Sequence, residues 1–250
     1  MMLLLDIGNS RLKWRAHAGG RMVDSGSCAS TPEALEQVRL PKADHALICS
    51  VVDPCRHALL TPHLPVASSW IAAEASAHGL VNHYQPPGAL GGDRYAALVG
   101  AWRRAQARAS APEAQVVVMA GTALTADMLT ATGEFMGGCI APGADMMLNA
   151  LHAGTGRVRL AGLDGDMPPL AAWPATTQDA VGQGIGLALA GVVQGMCSRL
   201  EKHSGREPHV CLSGGARAIL RPYLRCAYEE VDELVLEGMT WIARDRGFDV

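Results

Sequence analysis

From Leu3 to Ala29 the apolar residues fall in short runs interrupted by Gly8, Gly19-Gly20 and Gly26. Short runs divided by glycine predict three strands joined by tight turns. Leu12, Trp14 and Ala16 alternate with Lys13 and Arg15, and that period of two marks a half-exposed strand. Thr31-Pro32-Glu33 reads as an N-cap followed by proline at the first helical position, opening a short helix through Val38. The continuous apolar run from Ala46 to Val52 predicts a buried strand, and Asp53-Pro54 can cap a helix to about Leu60.

Asp93 to Ala109 is rich in helix formers, with apolar spacing at Ala97, Leu98, Ala101 and Trp102. Ser110-Ala111-Pro112 ends that helix and marks a boundary, giving halves 1–112 and 113–250. Beyond it the order repeats. Strands are predicted at Gln115 to Met119, Leu124 to Leu129 and Phe135 to Ile140, then a helix after Pro142-Gly143. A long helix from about Thr177 to His203, a strand at His209 to Leu212, a helix after Gly214-Gly215 and a last helix from Leu234 to Arg244 complete the chain. The class is α/β, with two sheets flanked by helices.

Composition narrows the function. At 250 residues, 49% hydrophobic and 18% charged, the chain buries a substantial core, and its net charge of -3 offers no basic surface for nucleic acid. The seven cysteines are odd in number, scattered and without a C-x-x-C pair, which fits a reduced cytoplasmic compartment. Met1 to Leu5 is too short for a signal-peptide core, and no apolar stretch reaches spanning length without charge or glycine, so a soluble, unprocessed protein away from membranes is expected. The histidines show no metal-ligand spacing.

Candidate chemistry gathers where strands end in glycine. Asp6-Ile7-Gly8-Asn9-Ser10 follows the first apolar run. A turn with Gly8 lets backbone N–H groups approach phosphate, Asp6 can hold magnesium through water, and Lys13 can neutralise phosphate charge. The plain alternative is an ordinary hairpin with Asn9-Ser10 as turn residues. Gly121-Thr122-Ala123 follows another apolar run, again with glycine and a hydroxyl, or else is a second hairpin. Ser213-Gly214-Gly215-Ala216 offers bare backbone on which a base or ribose can rest. Gly91-Gly92-Asp93-Arg94 pairs an acid with a cation at a helix start. Asp93 is there either an N-cap or the base that takes a proton from a hydroxyl nucleophile, with Arg94 on an anionic substrate group.

Taken in order, these motifs resemble the type III pantothenate kinases, of the acetate and sugar kinase/actin-like ATPase superfamily. The resemblance runs through Asp6 to Ser10, Lys13-Trp14, Asn82 and Tyr84, Gly91 to Arg94, Gly121 to Ala123 with Thr125, Gly137-Gly138, Pro142-Gly143, and Thr177 ahead of Ala180 and Gly184. It implies two ribonuclease H-like halves with an ATP site in the cleft between them. It implies transfer of the ATP γ-phosphate to the primary hydroxyl of pantothenate, the first step of coenzyme A synthesis, by a homodimer with each site completed across the interface. By the same resemblance Asp6, Ile7, Gly8, Asn9, Ser10, Arg11, Leu12, Lys13 and Thr122 contact ATP, and Asp93 is the catalytic base. Tyr84, Gly91, Gly92, Asp93, Arg94 and Thr177 form the pantothenate site.

The chain departs from the family at two notable places. Met119 stands where most members carry an aspartate that binds a monovalent cation. A thioether is a poor ligand for potassium, so turnover without a potassium requirement is expected. His83 replaces the glycine usual between Asn82 and Tyr84. Two other readings share the ATP elements: a binding-only accessory protein of the same fold, which Met119 favours, and a kinase of another small hydroxyl compound. Retention of Asp93 and Arg94 favours catalysis.

Overall fold

The computed structural model describes residues 1–65, 67–108, 112–156 and 173–250. Its first stretch holds β1 (Met2–Ile7), β2 (Arg11–Ala18), β3 (Arg21–Ala29), α1 (Pro32–Gln37), β4 (His45–Ser50), α2 (Pro54–Leu60), β5 (Ala67–Trp70), β6 (Ser76–Ala77), β7 (Leu80–Asn82) and α3 (Gly92–Arg108). There follow β8 (Gln115–Ala120), β9 (Ala123–Leu129), β10 (Glu134–Pro142), α4 (Ala144–Gly154), α5 (Thr177–Ser204), β11 (His209–Ser213), α6 (Arg217–Leu220), β12 (Tyr228–Val231) and α7 (Leu234–Asp245). One compact unit comprises Met1–Ser110, Gly133–Phe135 and Glu233–Val250, and the other Ala111–Thr132 and Met136–Asp232. The expected end of α3, at residues 109–111, lies outside the described residues.

In the first unit the strand order is β3-β2-β1-β4-β5, with β1 antiparallel to β2 and parallel to β4. Leu3, Leu5 and Ile7 share one core with Leu12, Ala16, Leu35, Ile48 and Leu60, so α1 and α2 cover that face. Because strand side chains alternate, Leu4 and Asp6 face the other way, toward the side where α7 packs on β1 and α3 on β4. Both short helices are capped as their sequences require. The Thr31 hydroxyl accepts from Ala34 N–H at 3.4 Å, and Asp53 accepts from the N–H groups of Cys55 and Arg56.

Two sequence expectations need correction. Gly26 is no turn residue but lies within β3 opposite Trp14, where a Cβ would stand 2.2 Å from the indole. The last helix, expected with the second half, belongs to the first unit because α7 packs on α3. Glycine makes that packing possible: a Cβ at Gly238 would stand 1.8 Å from the Ala96 carbonyl, and one at Gly100 2.8 Å from that of Leu234.

In the second unit the strand order is β12-β11-β8-β9-β10, with β8 and β9 antiparallel and β11 parallel to β8. Val116, Val118, Leu124 and Ala126 form its core with Leu189, Val193 and Met196 of α5. Among the described residues α5 is the one helix long and apolar enough to cross a membrane, and half of its most apolar stretch is buried.

Candidate active site

The chemistry of the first unit follows from one row of its sheet. Cys49, Asp6 and Lys13 stand side by side on β4, β1 and β2. Their shared face is the one toward α3 and α7. α3 brings Asp93 in its first turn, and Glu233 immediately precedes α7.

Asp6 registers these neighbours in its ionisation. Burial pushes its carboxyl up to about 7, and the charges of Asp93 and then Glu233 add to the rise while Lys13 opposes it. Lys13 Nζ lies 3.7 Å from one Glu233 oxygen, and Arg15 Nη2 lies 3.6 Å from the other. Burial and the charges of Asp6 and Asp93 hold the Cys49 thiol well above its usual range. An enclosed carboxylate among other acids is a place where a cation is favoured. Among the described residues no three His, Cys, Asp or Glu side chains could hold a metal together. Magnesium suits such a sparse donor set, because it takes one or two carboxylates and completes its shell with phosphate and water.

The turn after β1 is closed by Gly8 N–H donating to the Arg11 carbonyl at 3.0 Å. Asn9, Ser10 and Arg11 are exposed, whereas the side chains of Ile7 and Leu12 lie in the core. Of the ATP-contact residues expected here, Ile7 and Leu12 therefore offer backbone only.

Asp93 sits inside the first turn of α3, which starts at Gly92, so it is not an N-cap of the expected kind. Its Oδ1 accepts from Arg94 N–H at 2.7 Å. A Cβ on Gly91 would come within 2.8 Å of that oxygen, so the glycine keeps the carboxylate clear.

Beside it Arg94 is buried, with its guanidinium carbon 5.6 Å from the Tyr84 ring centre and 5.9 Å from that of Phe135. The two rings stack at 6.0 Å. Asn82 shapes the loop that carries Tyr84. Its side-chain oxygen accepts from Tyr84 N–H at 3.0 Å, and its amide donates to the carbonyls of Glu74 at 3.2 Å and Pro87 at 3.1 Å. Cation–π stacking and a fixed loop orient the charged head of Arg94.

In the second unit Thr122 is exposed on the turn between β8 and β9. Its carbonyl accepts from Gly143 N–H at 3.0 Å. A Cβ on Gly143 would lie 2.4 Å from the Gly121 and Thr122 carbonyls, and one on Gly214 2.2 Å from that of Ala120. The turn is thus packed backbone to backbone, which accounts for both glycines without a ligand. Met119 is half-buried, in register with Ser213 and Thr125. Thr177 is the exposed first residue of α5, whose cap is Thr176.

Sequence reading brought out Asp6, Lys13, Asp93, Arg94 and Tyr84; the first unit sets Lys13 beside Asp6, brings Asp93 within reach of the Asp6 charge and stacks Arg94 on Tyr84. It missed Glu233, Cys49 and Phe135, which no local motif announces. The register of β4 brings in Cys49, the return of α7 brings Glu233, and the pairing of β10 with β7 brings Phe135.

The architecture defines the class of protein. It is similar to the structure of a protein described as a Baf family transcriptional activator from Campylobacter jejuni, with TM-score 0.63, 21% identity and 98% of each chain covered. It is also similar to a protein described as a 2-dehydro-3-deoxygalactonokinase from Sinorhizobium meliloti, with TM-score 0.52, 15% identity and 99% of each chain covered. Mixed sheets flanked by helices in this arrangement are the actin-like ATPase and sugar kinase fold.

Within that class the sequence decides the family. Residues 2–199 match the family model for type III pantothenate kinase. The type III pantothenate kinase of Methylibium petroleiphilum is 37% identical, covering 98% of this chain and 99% of its own, and that of Albidiferax ferrireducens is 35% identical, covering 99% of each. The chain belongs to the type III pantothenate kinase family.

Proposed function

We infer that this chain is a pantothenate kinase, an ATP-dependent phosphotransferase that carries the γ-phosphoryl group to the primary hydroxyl of pantothenate. The product is 4'-phosphopantothenate, and the reaction begins coenzyme A biosynthesis. Family membership supports the activity. The observation in the fold that carries it is Asp93, kept clear by Gly91, next to the buried and stacked Arg94.

In this reading Asp93 accepts the proton of the pantothenate hydroxyl as that oxygen attacks the γ-phosphorus. The bond to the β-γ bridging oxygen breaks and ADP leaves. Tyr84, Gly91, Gly92, Arg94 and Thr177 bind pantothenate, Arg94 meeting its carboxylate. Asp6 through Lys13 and Thr122 contact ATP, chiefly through backbone N–H groups and the Lys13 ammonium. Phosphoryl transfer depends mainly on alignment and charge neutralisation, and such fixed donors supply both. Asp6 is the residue that would hold magnesium, which neutralises phosphate charge when bound.

The same reading has the enzyme act in the cytoplasm as a homodimer. Exposed apolar side chains in the second unit, Ile140, Met146 and Leu187, support self-association. Met119 supports turnover that needs no potassium, since a thioether replaces a hard oxygen donor. It also favours the competing reading of a binding-only accessory protein.

Steady-state turnover of ATP and pantothenate with magnesium separates the two readings. The native chain and Asp93→Asn are compared in potassium and in sodium buffer. Equal native turnover in both, lost in Asp93→Asn, is the expected result. A potassium requirement defeats the Met119 argument, and a folded native chain without turnover defeats the kinase reading.

A further inference from the structure

Arg56 lies in α2, outside every motif above, yet it reaches the phosphate turn. Its Nη1 donates to the Asn9 carbonyl at 3.0 Å. Asp53 holds the same guanidinium from another side, with Oδ2 3.4 Å from Nε. The Oδ1 of Asp53 meanwhile accepts the N–H groups of Cys55 at 3.0 Å and Arg56 at 3.2 Å. α2 is in turn tied to β1. Ser50 pairs in register with Ile7, Val51 N–H donates to the Ile7 carbonyl at 3.2 Å, and Ser50 Oγ bonds His57 Nε2 from within the helix. The guanidinium is thus held on a fixed base and aimed at one carbonyl of the turn.

Peptide geometry turns that contact into a constraint. The Asn9–Ser10 peptide is trans, as is every described peptide except Gln85-Pro86. In a planar trans peptide the carbonyl and the N–H point in opposite directions. Drawing the Asn9 carbonyl toward Arg56 therefore sets the Ser10 N–H toward the far side of the turn. The other end of the turn is already fixed by the bond from Gly8 to Arg11.

We propose that Arg56 is a positioning residue which, by holding the Asn9–Ser10 peptide plane, keeps the turn oriented for the phosphate chain of ATP. The proposal rests on the kinase reading, in which Gly8, Asn9 and Ser10 contact ATP. A residue of this kind acts on the phosphates alone and leaves adenosine and pantothenate untouched.

The test compares the native chain with Arg56→Ala and Arg56→Lys. It measures affinity for ADP and for adenosine, KM for ATP and for pantothenate, and thermal unfolding. In Arg56→Ala the ADP affinity falls and the KM for ATP rises by about tenfold, the scale of one hydrogen bond from a charged donor. Adenosine affinity, KM for pantothenate and the unfolding temperature stay at native values, and Arg56→Lys recovers most of the loss. Native turnover with ADP affinity unchanged in Arg56→Ala overturns the proposal and leaves the kinase reading standing. Equal losses for ADP and adenosine, or a lowered unfolding temperature, overturn it in favour of a general structural role. A native chain that binds no ADP overturns both.

Discussion

Asp6→Asn isolates what it costs this fold to place a carboxylate beside Asp93 and Glu233. The folded-state value for Asp6 is about 7 against an ordinary 3.8, with burial as the largest cause and Asp93 the next. A folded value above the unfolded one means that the unfolded chain releases its proton first as pH rises. Folding therefore loses stability as pH climbs past the unfolded value, and the loss levels off above the folded one. Taking those two values, linkage puts the cost at about 2 kcal/mol near pH ~5 and about 4 kcal/mol near pH ~8. Asp6 keeps some accessible surface, and water there trims both figures without changing their order.

Asparagine matches the shape of aspartate and carries no charge, so Asp6→Asn removes the cost at either pH. Its stabilisation over the native chain is larger at the higher pH by about 2–3 kcal/mol, or roughly 5–10 °C in unfolding temperature for a chain of this size. The assay is thermal unfolding of both chains at both pH values, without magnesium or nucleotide. Magnesium with ATP offsets the repulsion and shrinks the difference, while turnover is lost in the variant. An equal change in unfolding temperature at the two pH values, or a variant less stable than the native chain at the higher one, refutes the reasoning.

Three further outcomes are expected. Asp93→Asn lowers kcat by about 10²–10⁴, the usual scale for a general base, with KM for ATP little changed; a kcat within twofold of native removes Asp93 from that role. Arg94→Lys raises the KM for pantothenate by about tenfold or more and leaves that for ATP alone, since an ammonium reproduces neither the planar fork nor the stacking on Tyr84 and Phe135. Full recovery by lysine, read from the two KM values, contradicts the stacked arrangement. Gly238→Ala places a carbon 1.8 Å from the Ala96 carbonyl and must force α7 off α3; a loss of about 3 kcal/mol or more in urea unfolding is expected, and native stability would show that the helices cross elsewhere.

How far the site was legible depends on whether each link is local. Alternation in β2 already told that Lys13 and Arg15 share a face, and the caps Thr31 and Asp53 were written in adjacent residues whose bonds the fold then makes. β5 and β12 escaped notice because edge strands carry polar residues, Ser68-Ser69 in one and Glu229-Glu230 in the other, and lack the buried alternation that marks a strand. Gly26 misled for a related reason: glycine signals a turn in sequence, but here it clears space for Trp14 on the next strand. The larger miss is α7. Its sequence spells an amphipathic helix and says nothing about which sheet it covers, since that choice rests on the match of Gly238 to Ala96 and Gly100 far earlier in the chain. With α7 comes Glu233, and with Glu233 come the ion pairs to Lys13 and Arg15 and part of the rise at Asp6. The acid that begins the first turn could be read from the sequence, but the electrostatics that set its charge state had to wait for the fold.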